Sequence, residues 1–309
     1  MLLRFNISSF AILKNAWIGA PVLSTPNAIR AMFYANNSYV NGWVIKAMTS
    51  VEHIQLLHGD SDKPPSYNPV ARMYDKLFVA GRMAIDRYSR HGVTIPDDRF
   101  EIVGRPQVSA IRQVADPRKT IVYMPTWRGF YSDTQFSSLD RGGEIIERIL
   151  GQDQPVEVLF KSHPMSRKDP KWAEFRGEIQ NALRARRENG NSGKFASETM
   201  DPFDAYNAAD VLICDISSVM IDFLYSGKPL CVIDPIGFSE EELKEFPSLE
   251  SAYRIKSDLT NLVEVVQQAL NSDPLKPKRL EVRDYAFGDL ELETGEAFTR
   301  AIEKLVVAT

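Results

Sequence analysis

Two serines follow a run of apolar residues in the second half of the chain, and their position indicates anion binding. Val211–Cys214 has the length of a strand buried on both faces, and Asp215 ends it. Ser217 or Ser218 can cap the helix that the apolar spacing of the next residues predicts. A helix that begins past the end of a parallel strand turns free N–H groups toward the crevice there, which favours a phosphate. The same pattern also fits an ordinary strand, loop and helix with a serine cap.

Histidine and lysine mark two further strand ends. His58 stands where a predicted strand gives way to a polar loop, and Gly59 follows it. An imidazole titrates near neutrality and can act as a general base, although a capping or hydrogen-bonded histidine fits equally well. Lys161 and His163 are two residues apart on a strand and therefore share a face. Two cations on one face suit an anionic ligand, but a strand end that is merely polar gives the same pattern.

Another predicted strand ends in Thr126-Trp127-Arg128. Arginine is suited to bidentate contact with a phosphate, and a tryptophan can pack on a base or a sugar. Trp127 can equally be a lid on the hydrophobic core.

Farther along, a basic segment around Arg184, Arg186 and Arg187 fits either a solvated helix face or contact with anionic lipid.

Composition excludes several classes of protein. The chain has 309 residues, enough for two domains, with 44% hydrophobic and 25% charged residues, which is typical of a globular protein. A net charge of −4 gives no basic field for nucleic acid. No apolar run has membrane-spanning length, and the cysteines Cys214 and Cys231 lie in apolar runs typical of buried, reduced thiols in the cytoplasm.

The sequence lacks the common motifs of metal sites, of several nucleotide-binding folds and of α/β-hydrolases. The four histidines are scattered, without the spacing of a zinc site, so we expect no metal and no cofactor. The sequence contains no P-loop, no G-x-G-x-x-G fingerprint and no G-x-S-x-G elbow. These absences argue against a P-loop NTPase, a dinucleotide oxidoreductase and an α/β-hydrolase.

Alternating strand and helix patterns predict parallel, doubly wound sheets. The predicted strands are Ala31–Tyr34, Glu52–Leu57, Lys76–Ala80, Phe100–Val103, Thr120–Met124, Val156–Phe160, Val211–Cys214 and Lys228–Ile233. The main predicted helices are Phe10–Trp17, Gly81–Arg90, Gly143–Leu150, Trp172–Glu188, Leu259–Leu270 and Gly295–Val306. We interpret Arg112–Lys119 as a linker, Asn189–Gly193 as a turn and Tyr285–Gly288 as an aromatic loop. Polar loops at the carboxyl ends of two such sheets would face each other across a cleft.

Taken in order, these segments resemble the CDP-glycerol glycerophosphotransferase family, the polymerases of wall teichoic acid. The resemblance runs from about His53 to the C-terminus. Its parts are His58-Gly59, Gly104-Arg-Pro106, Tyr123-Met-Pro-Thr-Trp-Arg128, Lys161-Ser-His-Pro164, Asp210 to Val219 with Asp222-Phe223, Lys228-Pro229, and the closing Tyr285-Ala-Phe-Gly-Asp289. Leu57, Asp60-Ser61 and Ile216 depart from the residues usual in the family.

The resemblance implies an α/β GT-B fold, with two Rossmann-like domains facing a cleft. We expect an acceptor-side domain at residues 1–113, a nucleotide-donor domain at 114–283, and a final helix at 284–309 that crosses back to the first domain. Only about four strands precede Arg112, fewer than such a domain needs. We therefore expect the first domain to be incomplete, with its initial βα units on a missing N-terminal segment or lost.

The resemblance also implies roles for the candidate residues. His58 and His163 are the expected catalytic residues, with His58 as the base that deprotonates the acceptor hydroxyl. The expected donor and phosphate ligands are Thr126, Arg128, Lys161, Asp215, Ser217 and Ser218. Gly59 and Asp60 are expected on the acceptor side.

The implied function is transfer of glycerol phosphate, or a related polyol phosphate, from a CDP-activated donor to a lipid-linked teichoic-acid-like or capsular polymer, with release of CMP. Such an enzyme would work in the cytoplasm, in peripheral contact with the inner membrane surface. One alternative is a GT-B glycosyltransferase that uses a nucleotide sugar, and a nucleotide-sugar epimerase is a weaker one. A non-catalytic nucleotide-binding protein with a degenerate first domain is the alternative from another class.

Overall fold

The first of two parallel sheets has four strands. The structure is a computed structural model, and it describes residues 29–57, 59–112, 119–129, 136–185, 189–234, 237, 239, 241–288 and 294–307. The first sheet contains β1 to β4 in that spatial order, all parallel, at Ala31–Tyr34, Glu52–Gln55, Lys76–Val79 and Phe100–Ile102. Its helices are α1, Asn41–Ala47, and α2, Arg82–Arg90. We call this part the first domain.

The second sheet has six parallel strands. They are β5 to β10, at Thr120–Met124, Glu157–Phe160, Ser192–Phe195, Val211–Asp215, Leu230–Ile233 and Tyr253–Ile255. Helices α3 to α7 cover it, at Gly142–Leu150, Trp172–Arg184, Pro202–Ala208, Ser218–Leu224 and Leu262–Asn271. All five residues of β5 and of β8 are buried, as expected for strands covered on both faces.

The strand order of the second sheet locates its ligand edge. The order β7-β6-β5-β8-β9-β10 is that of the doubly wound nucleotide-binding fold. The chain winds outward in opposite directions from β5 and β8, so a crevice opens between the carboxyl ends of these two strands. The loops that the sequence singled out after Met124 and after Asp215 both leave the sheet at this crevice.

Two further helices connect the sheets. Helix α8, Lys276–Phe287, packs against both α2 and α6. Helix α9, Thr294–Val307, lies under the first sheet, where the ring of Phe298 meets the ring of Phe78 edge-on at a centroid distance of 6.0 Å. Ala301 is buried in the same cluster. The end of the described chain therefore completes the core of the first domain.

The predicted strands are confirmed apart from small shifts at their ends, but three features differ. Ser192–Phe195 is the edge strand β7, where Asn189–Gly193 was interpreted as a turn. Tyr285–Phe287 belongs to α8, so the prediction of an aromatic loop there is wrong. The sequence analysis did not predict the helices α1 and α8 or the strand β10. The predicted helix Phe10–Trp17 and the predicted boundary at residues 113–114 lie outside the described residues, and both stay predictions.

Polar contacts join the two halves of the molecule. Arg105, after β4, forms an ion pair with Asp222 of α6 at 2.6 Å. The hydroxyl of Tyr285 donates to Asp86 of α2 at 2.8 Å. The buried carboxylate of Asp62 accepts from the backbone N–H of Ser248 at 3.1 Å. Because the carboxyl edges of both sheets face this interface, their loops meet in one cleft.

Gly81 is required where α2 meets α8. A Cβ at this position would lie 2.4 Å from the backbone oxygen of Ala286, which cannot rotate away. We expect Gly81→Ala to lower the free energy of unfolding by about 1–3 kcal/mol, because α8 must move to relieve the overlap. Urea unfolding would measure the change.

The matched control is Gly177→Ala in the middle of α4. No described atom lies within 4 Å of a Cβ built there. Alanine should therefore raise the stability by roughly 0.5–1 kcal/mol through its better helix propensity. Equal stability of the Gly81→Ala variant and the native protein would show that the two helices do not pack this closely.

Candidate functional site

Asp215 lies beneath the crevice rather than at its surface. Its carboxylate is fully buried and accepts hydrogen bonds from the backbone N–H groups of Thr126 at 2.7 Å and Ser138 at 3.2 Å. Burial raises the pKa of Asp215 to about 7, while the hydrogen bonds from Ser138 and Thr126 act in the opposite direction. Asp215 was predicted as a donor ligand. In the structure its oxygens hold the two loops that border the crevice, and its role as a donor ligand stays a prediction.

Thr126 is positioned in the same way. Its side chain is buried, and its carbonyl accepts a hydrogen bond from the Ser137 hydroxyl at 2.7 Å. The loop after β5 is therefore fixed from below by Asp215 and from the side by Ser137. Farther along this loop, the side chain of Arg128 remains 45% exposed at the crevice.

The serine pair begins α6 as predicted, with a difference in detail. Ser217 occupies the N-cap position, but its side chain makes no capping bond to the helix. Its hydroxyl donates instead to the carbonyl of Asp215 at 3.3 Å. Ser218 is the first helical residue and is half-buried, so its hydroxyl is the more accessible of the two.

Gly59 brings the first domain directly onto α6. A Cβ built on Gly59 would lie 2.9 Å from the Cβ of Ser218 and 3.0 Å from its hydroxyl oxygen. Only glycine permits an approach this close. The structure thus joins two motifs that are about 160 residues apart in the sequence. His58 itself lies outside the described residues, so its role stays a prediction.

The residue before His58 has an unusual backbone. Leu57 has a φ of 54°, in the left-handed region that a branched, bulky residue rarely adopts. Such a conformation costs about 1–3 kcal/mol and is concentrated at functional sites, where surrounding contacts enforce it. The strained residue lies two positions before Gly59, which contacts Ser218.

Lys161 and Arg128 provide positive charge beside the crevice. Lys161 follows β6 and is buried, and burial lowers the pKa of its ammonium, with Asp201 acting in the opposite direction. Arg128 lies 3.7 Å from a carboxylate oxygen of Asp169, and its guanidinium is 6.0 Å from the centre of the Phe175 ring. Arg128 follows β5 and Lys161 follows β6, so both cations lie on this side of the crevice.

The ring of His163 caps a short turn. Its Nδ1 accepts a hydrogen bond from the backbone N–H of Met165 at 3.1 Å, which caps the short turn Pro164–Lys168. The neutral ring therefore carries its proton on Nε2. The ring also stacks on Trp127, with centroids 6.3 Å apart. Trp127 thus packs on His163, a contact that the sequence did not indicate.

Lys63 was missed by sequence reasoning. It belongs to the first-domain loop that contains Gly59, and its Nζ lies 5.0 Å from the centre of the Phe136 ring in the second domain. Burial lowers the pKa of Lys63 to about 8, while the charge of Asp215 acts in the opposite direction. A lysine before two prolines has no sequence signal for a site. Only the folded interface brings its ammonium to the crevice.

A small polar cavity of about 220 Å³ adjoins the crevice. Arg128 and Ser138 from the β5 side and Ser257 after β10 are among the residues that line it. Its polar walls and its place at the carboxyl edge of the sheet suit a hydrophilic group of a nucleotide.

Asp60, predicted on the acceptor side, belongs to a buried charged cluster in the first domain. It forms an ion pair with Arg87, which also contacts Asp62 at 3.0 Å.

Nowhere in the described ranges do three or more His, Cys, Asp or Glu side chains form a group that could hold a metal ion. Nor does any helix of those ranges combine the length and the apolar character needed to cross a membrane.

A family model matches the part of the chain that carries most of this site. Residues 104–246 match the model described as CDP-Glycerol:Poly(glycerophosphate) glycerophosphotransferase. This span is a little less than half of the chain and includes the loop after β5, Lys161 and the serine pair. The family resemblance is therefore confirmed over this span, and the match indicates a transferase of the CDP-glycerol glycerophosphotransferase type. No curated protein sequence matches the chain.

Solved structures share the fold at low sequence identity. A protein described as a UDP-N-acetylglucosamine 2-epimerase from Listeria monocytogenes is 14% identical, with a TM-score of 0.61 over 94% of this chain and 78% of that chain. The MnaA–UDP structure from S. aureus is 12% identical, with a TM-score of 0.60 over 93% and 77%. A variant of the wall teichoic acid polymerase TagF soaked with CDPG is 17% identical, with a TM-score of 0.56 over 89% and 72%.

These likenesses confirm the predicted α/β fold of the GT-B type with parallel sheets. At such identities they establish the fold alone, because one fold hosts many chemistries.

The raised pKa of Asp215 predicts a pH-dependent stability. The unfolded carboxyl ionises near its ordinary value of 3.8, whereas the folded one holds its proton to about pH 7. Between these values the folded state binds the extra proton, so the native protein loses stability as the pH rises. The amide of the Asp215→Asn variant does not titrate, so its free energy of unfolding does not fall for this reason as the pH rises. We expect the variant to gain stability relative to the native protein from pH 5 to pH 7, measured by urea unfolding.

Asp204→Asn is the control, because this side chain is exposed in the same domain. Its stability relative to the native protein should not change between pH 5 and pH 7. A relative stability of Asp215→Asn that falls as the pH rises would show that the buried carboxylate is ionised and that its hydrogen bonds outweigh burial.

Proposed function

We propose that this protein transfers glycerol phosphate, or a related polyol phosphate, from a CDP-activated donor to a hydroxyl at the end of an acceptor polymer. The contact between Gly59 and Ser218 is the observation that carries the proposal. It holds the loop of the proposed base against the helix of the proposed phosphate site. Phosphoryl transfer requires mainly positioning and charge neutralisation, which such a cleft can supply.

The donor is proposed to bind at the crevice between β5 and β8. Its diphosphate lies near Ser217 and Ser218, with Arg128 and Lys161 neutralising its charge from the β5 and β6 side. Lys63 adds a third cation from the opposite domain. The nucleoside extends toward the small polar cavity beside Arg128. This arrangement surrounds the transferred phosphorus with positive charge from both domains, which stabilises the charge that develops during transfer.

The reaction is proposed to proceed by direct displacement. His58 accepts the proton of the acceptor hydroxyl, and the oxygen attacks the phosphorus that bears the glycerol. A new phosphorus–oxygen bond to the acceptor forms as the bond to CMP breaks. His163 is proposed to donate a hydrogen bond from Nε2 to the departing phosphate, since its Nδ1 is held by Met165.

The acceptor is proposed to be a lipid-linked polymer of the teichoic acid or capsular type. The protein would then work in the cytoplasm, at the inner membrane surface, where basic residues such as Arg184 would attract anionic lipid. A glycosyltransferase that uses a nucleotide sugar is the second candidate, because the same phosphate-binding parts would serve it. This second candidate is supported by the fold that the chain shares with a UDP-N-acetylglucosamine 2-epimerase and with a protein solved with UDP.

The test is release of CMP from CDP-glycerol or CDP-ribitol with a lipid-linked acceptor analogue, beside calorimetric titration of each donor. We expect acceptor-dependent CMP release by the native protein. His58→Ala should abolish turnover while the dissociation constant of the donor changes less than about threefold, because a general base acts on the acceptor. Full activity of His58→Ala would remove it as the base. Binding of UDP-sugars but of neither CDP compound would favour the glycosyltransferase.

Lys63 predicts how donor binding depends on pH. Its ammonium is charged below about pH 8 and neutral above it. We expect the affinity for CDP-glycerol to fall as the pH rises from 7 to 9, since the diphosphate loses a cationic partner. Lys63→Gln should bind about tenfold more weakly at pH 7, which corresponds to about 1.4 kcal/mol, and should show no such decline.

Lys46→Gln on the exposed surface of α1 is the matched control and should follow the native pH profile. Identical pH profiles for Lys63→Gln and the native protein would show that Lys63 does not contact the donor.

A further inference from the structure

A polar cavity of about 710 Å³ lies at the amino edge of the six-stranded sheet. Lys119, Asp210 and Lys228 line it, and they precede β5, β8 and β9. Because the strands of this sheet are parallel, the crevice lies at the opposite, carboxyl edge. At about 3.3 Å per residue, the five residues of β5 separate the two edges by roughly 16 Å. The cavity is therefore distinct from the proposed donor site.

Helix α8 and the end of α7 form another part of the cavity wall. Lys276, Leu280 and Arg283 are spaced along one face of α8, and all three line the cavity. Asn271, the last residue of α7, also lines it. The carbonyl end of α7 and the amino end of α8 meet here, so their helix dipoles offset each other. The charges of the side chains therefore decide which ligand the cavity attracts.

Four cations line the cavity among the described residues, namely Lys119, Lys228, Lys276 and Arg283. Lys119 and Lys276 form no ion pair within the described part of the chain. The ammonium of Lys228 donates to two backbone carbonyls at 2.8 and 3.3 Å, which leaves its charge without a carboxylate partner. Arg283 contacts the carboxylate of its exposed neighbour Asp284 at 3.1 Å. Positive charge thus reaches the cavity from the sheet and from α8.

The two carboxylates that line the cavity already have partners. Asp210 accepts a hydrogen bond from the backbone N–H of Thr120 at 2.8 Å. Asp273 forms an ion pair with Arg279, which is fully buried. With Arg279 and Asp284 included, the described group has five cations and three carboxylates. This local excess of positive charge stands out in a chain whose net charge is −4.

The excess of positive charge suits a phosphate. A phosphate group carries a charge of about −1.5 to −2 at neutral pH. Lysine ammonium groups neutralise it as point charges, and a guanidinium can bind two of its oxygens at once. The side chains of Leu270 and Leu280 give the same cavity an apolar surface for an organic group. Its volume lies within the range of roughly 300–1,000 Å³ that is usual for small-molecule sites.

We propose that this cavity binds a small phosphorylated molecule as an effector, at a site separate from the reaction. Lys119 and Lys228 hold the phosphate from the sheet. Lys276 and Arg283 hold it from α8. This helix also packs against α2 of the first domain and against α6. A ligand that joins α8 to the sheet therefore stabilises the helix that connects the two domains.

Hydrogen–deuterium exchange of the native protein locates the site, with sodium pyrophosphate as the probe. We expect exchange in residues 269–283 to slow by about threefold, because the anion joins α8 to the sheet. Slower exchange confined to the loops after β5 and β8 would place the probe in the crevice and overturn the proposal. Unchanged exchange in residues 269–283 at saturating pyrophosphate would overturn it as well.

Calorimetric titration with pyrophosphate assigns the binding to individual cations. The titrated protein carries Arg128→Gln and Lys161→Gln, which remove two cations from the crevice. In this background, Lys276→Gln and Arg283→Gln should each weaken pyrophosphate binding about tenfold, since each removes a charged contact. Unchanged affinity in both variants would overturn the proposal.

Lys278→Gln is the matched control. Lys278 belongs to the same helix but does not line the cavity, and it pairs with Glu250 at 3.0 Å. Its loss changes the net charge equally and should alter the affinity less than about twofold, because salt screens distant charges. An equal loss of affinity in Lys278→Gln and Lys276→Gln would show binding of an adventitious ion only. These measurements involve neither CDP-glycerol nor turnover, so they test the cavity independently of the proposed function.

Discussion

The buried carboxylate of Asp62 fixes how the two domains meet. It accepts from Arg87 Nε at 3.0 Å and from the backbone N–H and hydroxyl of Ser248 at 3.1 and 2.5 Å. A buried carboxylate is stable only when such partners surround it, so these distances have little freedom. The loop that contains Asp62 also carries Gly59 and Lys63. The hydrogen bonds of Asp62 therefore help to hold the contacts of Gly59 and Lys63 with the second domain.

Charges at the cleft fall into two groups with different roles. The carboxylates of Asp62 and Asp215 are buried and hold backbone or side-chain donors, so they organise loops. The cations Lys63, Lys161 and Arg128 lie around the crevice and have fewer bonds to the protein. Buried carboxyl groups therefore organise the loops, while cations from both domains lie around the crevice, although the whole chain carries a net charge of −4.

The sequence predicted most strands and the site loops, because buried runs such as Thr120–Met124 have a strong local signal. It did not predict β7, whose Gly193 and exposed Ser192 resemble a turn, since an edge strand buries little. It did not indicate that Asp215 is fully buried, because a polar residue at a strand end looks the same whether it faces solvent or backbone. Lys63 was not identified because its position at the crevice arises only from packing between the domains.

Phe298 on α9 has a consequence for the order in which the protein folds. This ring packs against Phe78 in the core of the first domain, yet it is synthesised after every described strand of both sheets. During translation β1 to β4 leave the ribosome before α9 exists, so this helix cannot yet bury the apolar face that it covers in the folded protein. The core of the first domain is therefore completed only after the strands of the second domain have been synthesised.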